Sequence, residues 1–98
     1  MPTLSEWLAL TEKQRQEFLG DMQSFDSYSD KAYKLANSVV NNFREKYKLN
    51  QAKITVGNKG GYLLIVAVLP VKEYEKFVTE NMEYYLGFNI CFVKEQSS

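Results

Sequence analysis

The sequence predicts an α+β domain with its helices first and its strands last. Between Tyr28 and Tyr47 apolar residues recur at three- and four-residue steps, the period of a helix. From Ala52 onward they recur at every second residue, the period of a strand. With 98 residues the chain is too short for two independent cores, so the halves read as layers of one domain, 1–98. Within it, 1–24 form a helical arm and 25–98 an α-β-β-α-β core.

The arm opens with Thr3 three residues before Glu6, a capping-box pattern that starts a short helix carrying Leu4, Trp7 and Leu8 on one side. Thr11 and Gln14 repeat the device, and the second helix presents Phe18, Leu19 and Met22, weakened by Gly20. Residues Gln23 to Asp30 are a polar break. The long helix begins at Ser27 or Ser29 and runs to Leu49, with Tyr28, Ala32, Leu35, Ala36, Val39, Phe43 and Tyr47 as its stripe. Lys46 and Lys48 suit the negative end of its dipole, and Asn50 is the expected left-handed stop.

Ala52, Ile54 and Val56 alternate with Lys53 and Thr55, a strand with one solvated face. The cluster from Gly57 to Gly61 turns the chain into a second strand, Tyr62 to Leu69, apolar on both faces and therefore central and covered above and below. Pro70 ends that strand and opens a helix with Val71, Tyr74, Phe77, Val78 and Met82 inward. A last strand after Gly87 alternates Phe88, Ile90 and Phe92 with Asn89, Cys91 and Val93. A strand, helix and strand in succession favour a parallel crossover. The expected result is a three-stranded sheet with helices mainly on one face, a truncated ferredoxin-like topology that lacks its first strand. That likeness is one of topology and carries no function.

Composition removes several classes of chemistry. There is no histidine and a single cysteine, so Cys/His zinc sites, Ser-His and Cys-His nucleophile pairs and disulfide frameworks are out of reach. Cys91, set between Ile90 and Phe92, reads as a small buried residue, and an unpaired cysteine fits a reducing cytoplasm. No apolar run approaches the ~18–20 residues of a membrane helix, and no basic segment followed by an apolar one opens the chain. The glycine cluster joins two strands rather than leading into a helix, so it is a hairpin turn and not a phosphate loop. The glutamates at 73, 80 and 83 read as a solvated helix face. No catalytic residues, cofactor or metal are expected.

Charge is informative in its distribution. Residues 1–30 hold two basic and six acidic groups, a balance of −4. Residues 31–59 hold seven basic groups and one acid, a balance of +6, and the rest stands at −2. Arg44, Lys46, Lys48, Lys53 and Lys59 would carry a weak single-stranded nucleic-acid site, with tyrosines interleaved. An acidic arm lying near a basic helix accounts for the same pattern, and the net charge of zero favours it.

The remaining signal is apolar. Tyr62, Leu64, Val66 and Val68 point one way from the second strand, and Leu63, Ile65, Ala67 and Leu69 the other. Two helices cover one face; the second needs the Trp7 arm, a second copy or a partner. The expected function is thus a small, non-catalytic protein-binding or regulatory module, a homodimer, acting through an apolar sheet face or a sheet edge. Trp7, Tyr62, Leu64, Tyr84, Tyr85 and Phe88 are the candidate contact residues. A ligand pocket between the arm and the sheet is a further possibility.

Overall fold

The computed structural model describes residues 1–21 and 25–96. It comprises α1 (Leu4–Ala9), α2 (Glu12–Gly20), α3 (Asp30–Lys46), β1 (Lys53–Lys59), β2 (Tyr62–Leu69), α4 (Val71–Thr79), β3 (Tyr84–Tyr85) and β4 (Phe88–Lys94). Class and order follow the sequence pattern, with one addition: the sheet has four strands, ordered β1-β2-β4-β3. The extra strand, β3, is two residues long, too short for alternation to announce it.

Both arm helices begin as their caps dictate. The Thr3 and Thr11 hydroxyls accept the backbone N–H of Glu6 and Gln14, whose side chains accept the cap N–H in return. Met22, assigned to the second helix from sequence, lies outside the described residues. The long helix starts later than its apolar stripe: Ser29 caps it by accepting from Ala32 N–H, and Tyr28 precedes the cap and is exposed. Ala32, Leu35, Ala36, Val39, Val40 and Phe43 form its buried side. It ends at Lys46, short of the expected Leu49, and its left-handed stop is Lys48, not Asn50. Lys48 takes φ 55°, and Leu49 N–H reaches back to Arg44 O while Lys48 N–H reaches Glu45 O, a Schellman ending. The Arg44 guanidinium then donates to the carbonyls of Leu49 and Ala52, holding the loop into β1.

β1 and β2 pair antiparallel from Lys53↔Val68 to Lys59↔Tyr62, so the turn is only Gly60-Gly61, both at positive φ, and Gly57 belongs to the strand. β2 then pairs parallel with β4, with α4 as the crossover. The place where a ferredoxin-like sheet would insert its first strand is closed by direct β2–β4 hydrogen bonding. A second two-residue turn, Leu86-Gly87, folds β3 back on β4. α4 is only nine residues and meets the sheet through Phe77, with Tyr74 half-buried; Val71 and Val78, expected inside, are exposed.

α3, α4 and the core lie on one side of the sheet, and α2 sits at its end against the β3–β4 turn. Leu63, Ile65, Ala67 and Leu69 of β2, and Phe88 and Ile90 of β4, are buried there against α3 and α4. An aromatic column fills the layer: Phe43 lies 4.9 Å from Tyr85 and 5.5 Å from Phe77, and Phe77 stacks on Phe92 at 4.9 Å. Burial, and then the neighbouring Tyr47, push the Tyr85 phenol up from its ordinary pKa, and its hydroxyl donates to Asn42 Oδ1.

The arm joins this same side through Trp7. Trp7 is fully buried, 5.8 Å from Phe88 and 5.7 Å from Phe18, and its indole N–H donates to Leu86 O at 2.8 Å. Arg15 is buried with it, donating to the carbonyls of Trp7 and Leu8 and paired with Glu12 at 3.1 Å. Thus no described residue of the arm covers the far side of β2, and among the described residues the central strand is covered on one face only.

Candidate interaction surface on the open face of the sheet

Strand register defines the uncovered face row by row. The first row holds Lys53, Val68 and Val93; the second Thr55, Val66 and Cys91; the third Gly57, Leu64, Asn89 and Tyr84; the fourth Lys59 and Tyr62. Rows are ~6.6 Å apart along the strands and strands ~4.8 Å apart, so the face is roughly 23 Å long and about 14 Å wide, widening to about 19 Å only at the third row, where β3 adds Tyr84. Its middle is apolar: Leu64, Val66 and Val68 are half-buried only by one another and their neighbours, and Val93 is 41% exposed. Tyr62 and Tyr84 stand at one end, 70% and 51% exposed. Lysines occupy the β1 border.

Of the six candidate contact residues, the fold places three here, Tyr62, Leu64 and Tyr84. Trp7, Tyr85 and Phe88 are core, at 0%, 7% and 1% exposure, and so do not contribute to this surface. The reason is the two-residue alternation: Tyr84 and Tyr85 adjoin in sequence but leave the sheet on opposite sides. Cys91, expected in the core, differs as well. It is exposed, because it shares the open side with Val93 while its neighbours Ile90 and Phe92 face the helices. Val66, Val68 and Val93 complete the surface; Val66 and Val68 were legible as one face of β2, but only the position of the helices says which face stays bare.

The five basic candidates do not converge. The Arg44 guanidinium is held by two loop carbonyls. Lys46 lies on the helix side, with its ammonium 5.6 Å from the Tyr47 ring centroid and 5.8 Å from that of Tyr85. Lys48 closes α3. Lys53 and Lys59 share the open face but stand at opposite ends of β1, about 20 Å apart.

Both sheet edges are blunted. β1 exposes its outer edge, yet pairing it antiparallel with another β1 about Val56 would set Lys53 opposite Lys59 at each end, a like-charge pairing that disfavours the contact. The other edge, β3, is two residues long.

A cleft of about 180 Å³ does lie between arm and sheet, lined in part by Gln16, Leu19, Tyr62 and Tyr84. It falls below the ~300 Å³ at which ligand pockets begin, but a neighbouring cleft between the end of α2 and the β1–β2 turn, lined in part by Leu19, Phe25, Tyr28 and Tyr62, reaches about 330 Å³. Among the described residues no cluster of three Cys, Asp or Glu side chains could hold a metal ion, and no helix is long and apolar enough to cross a membrane. No protein-family model, curated protein or solved structure matches the chain.

Proposed function

We propose that this protein is a non-catalytic interaction module that self-associates through the open face of its sheet. The observation that carries the reading is the continuous apolar strip over the two central strands, Leu64, Val66 and Val68 on β2 with Cys91 and Val93 on β4. A sheet face left apolar on the solvent side is the place where a second apolar surface gains most by docking. The blunted edges direct the contact to the face rather than to strand addition.

The test is sedimentation velocity across a concentration series centred on tens of micromolar, comparing the native chain with Val66→Asp. Val66 is on the uncovered side, so the variant keeps the core and the folded spectrum of Trp7. The expected result is a native mass that rises toward the dimer and a variant that stays monomeric. A native chain that is monomeric throughout defeats the reading. The nucleic-acid alternative rests on cations that the fold disperses; a steep salt-dependent retention on single-stranded DNA would restore it.

A further inference from the structure

Two sheets packed face to face lie about 10 Å apart with strands aligned to within about 30°. For two copies of this face, that geometry allows two kinds of two-fold axis in the plane of contact. One runs along the strands, between β2 and β4. The other runs across them. The two juxtapose different residues, and the face distinguishes them.

With the axis across the strands, β1 lies over β1 and its two ends exchange. Lys53 then meets the partner's Lys59, twice, at the border of a desolvated contact. With the axis along the strands, β2 lies over β4 and β1 over β3, with each row retained. Val68 covers the partner's Val93, Val66 the partner's Cys91 and Leu64 the partner's Asn89. The lysine rows stay apart: Lys53 overhangs a corner where β3 does not extend, beside the end of β4 that Glu95 closes.

The third row supplies a fit in shape. Gly57 and Tyr84 lie in the same row on opposite outer strands, equidistant from the midline between β2 and β4. A tyrosine standing on a sheet fills most of a 10 Å gap, so it needs a small residue opposite. Gly57 has no side chain, and a Cβ built on it would point among the open-face side chains, 3.8 Å from Leu64 Cγ and 3.9 Å from Val66 Cγ2. The row therefore presents a projection on one side and a recess on the other, related by the strand-parallel axis.

Resting on the self-association reading, the geometry points to a second copy of this chain as the occupant, related by a two-fold axis parallel to the strands, with each Tyr84 seated over the partner's Gly57. The footprint is roughly 380 Å² per copy, about 760 Å² in all, short of the about 1,000 Å² of a stable specific interface and in the range of a weak contact. Such a dimer is reversible, with dissociation in the micromolar range, and its orientation is set by the row pattern rather than by area.

Cysteine cross-linking tests the orientation. In a Cys91→Ala background, Gly57→Cys and Tyr84→Cys chains are mixed and treated with a bismaleimide of about 8 Å reach, chosen against the sheet spacing. Positions 57 and 84 of facing copies are then about 10 Å apart, while the two 57 positions are about 17 Å apart; the cross-strand axis would bring the two 57 positions to about 12 Å. The expected result is a covalent dimer in the mixture and none from Gly57→Cys alone. A dimer from Gly57→Cys alone overturns the orientation, as does sedimentation showing a dimer that no pair traps. A monomer by sedimentation removes the self-association reading itself, and this inference with it. As a second variant, Gly57→Val adds a side chain that the monomer accommodates. It is expected to leave the thermal transition in place and raise the dimer dissociation constant at least tenfold; an unchanged constant overturns the Tyr84–Gly57 contact.

Discussion

Replacing Gly87 by alanine should loosen the arm far more than replacing any other turn glycine. Gly87 has φ 89°, where a Cβ alone costs about 1–2 kcal/mol. A Cβ there would also stand 2.9 Å from Arg15 Cβ and 3.3 Å from both Leu19 Cδ1 and Trp7 Cζ2. Arg15 cannot yield cheaply, because its Cβ is fixed to α2 and its guanidinium is tied to Trp7 O, Leu8 O and Glu12. Overpacking of this kind adds about 1–3 kcal/mol. The expected total is about 3 kcal/mol, out of the 5–15 kcal/mol typical of a whole domain. In a domain of this size that lowers the melting temperature by roughly 12–24 °C. Gly60→Ala is the matched control: φ is 60° there, and nothing lies within 4 Å of the added carbon, so only the backbone cost of about 1 kcal/mol remains. Urea unfolding followed by fluorescence of the single tryptophan measures both. Equal losses in the two variants would refute the close docking of α2 on the β3–β4 turn.

Other outcomes follow from contacts already described. Arg44→Met keeps the stem but removes two charged hydrogen bonds to the Leu49 and Ala52 carbonyls, and should cost about 2–3 kcal/mol by urea unfolding. Trp7→Phe leaves Leu86 O without its donor and a space behind the smaller ring, for a loss of about 2 kcal/mol by the same assay, read by circular dichroism. The Tyr85 phenol is raised in the folded state, so the stability it contributes is complete below the ordinary tyrosine pKa and lost as pH rises through the higher folded value. Tyr85→Phe should therefore flatten the alkaline limb of a melting-temperature profile, and an unchanged limb would place the titration elsewhere.

Much of this architecture is legible in the sequence because local signals agree with the tertiary result. The Thr3 and Thr11 capping boxes, the Ala32-to-Phe43 stripe and the doubly apolar β2 each appear where their spacing puts them. The departures have physical causes. Lys48 took the left-handed position because the arginine one turn earlier fastens the following loop, a contact that no local propensity encodes. β3 escaped notice because its two residues are defined by a hydrogen-bonded partner rather than by a pattern. For the surface, alternation sorted the residues of β2 into two sets correctly but could not say which set the helices would cover. Trp7, Tyr85 and Phe88 are large aromatics, which suit an interface and a core alike, and burial in the core is where such side chains gain most.

The indole hydrogen bond from Trp7 to Leu86 joins residues 79 positions apart. Contacts of that separation close the largest loops and are the slowest to be rewarded during folding. By contrast, the β1–β2 hairpin and the β3–β4 turn each close over two residues. Folding should thus proceed from the hairpins and α3 toward the arm, with its first residues docking last. Tryptophan fluorescence then reports the final step and backbone circular dichroism the earlier ones, so nearly all the sheet stands before α1 is locked in place.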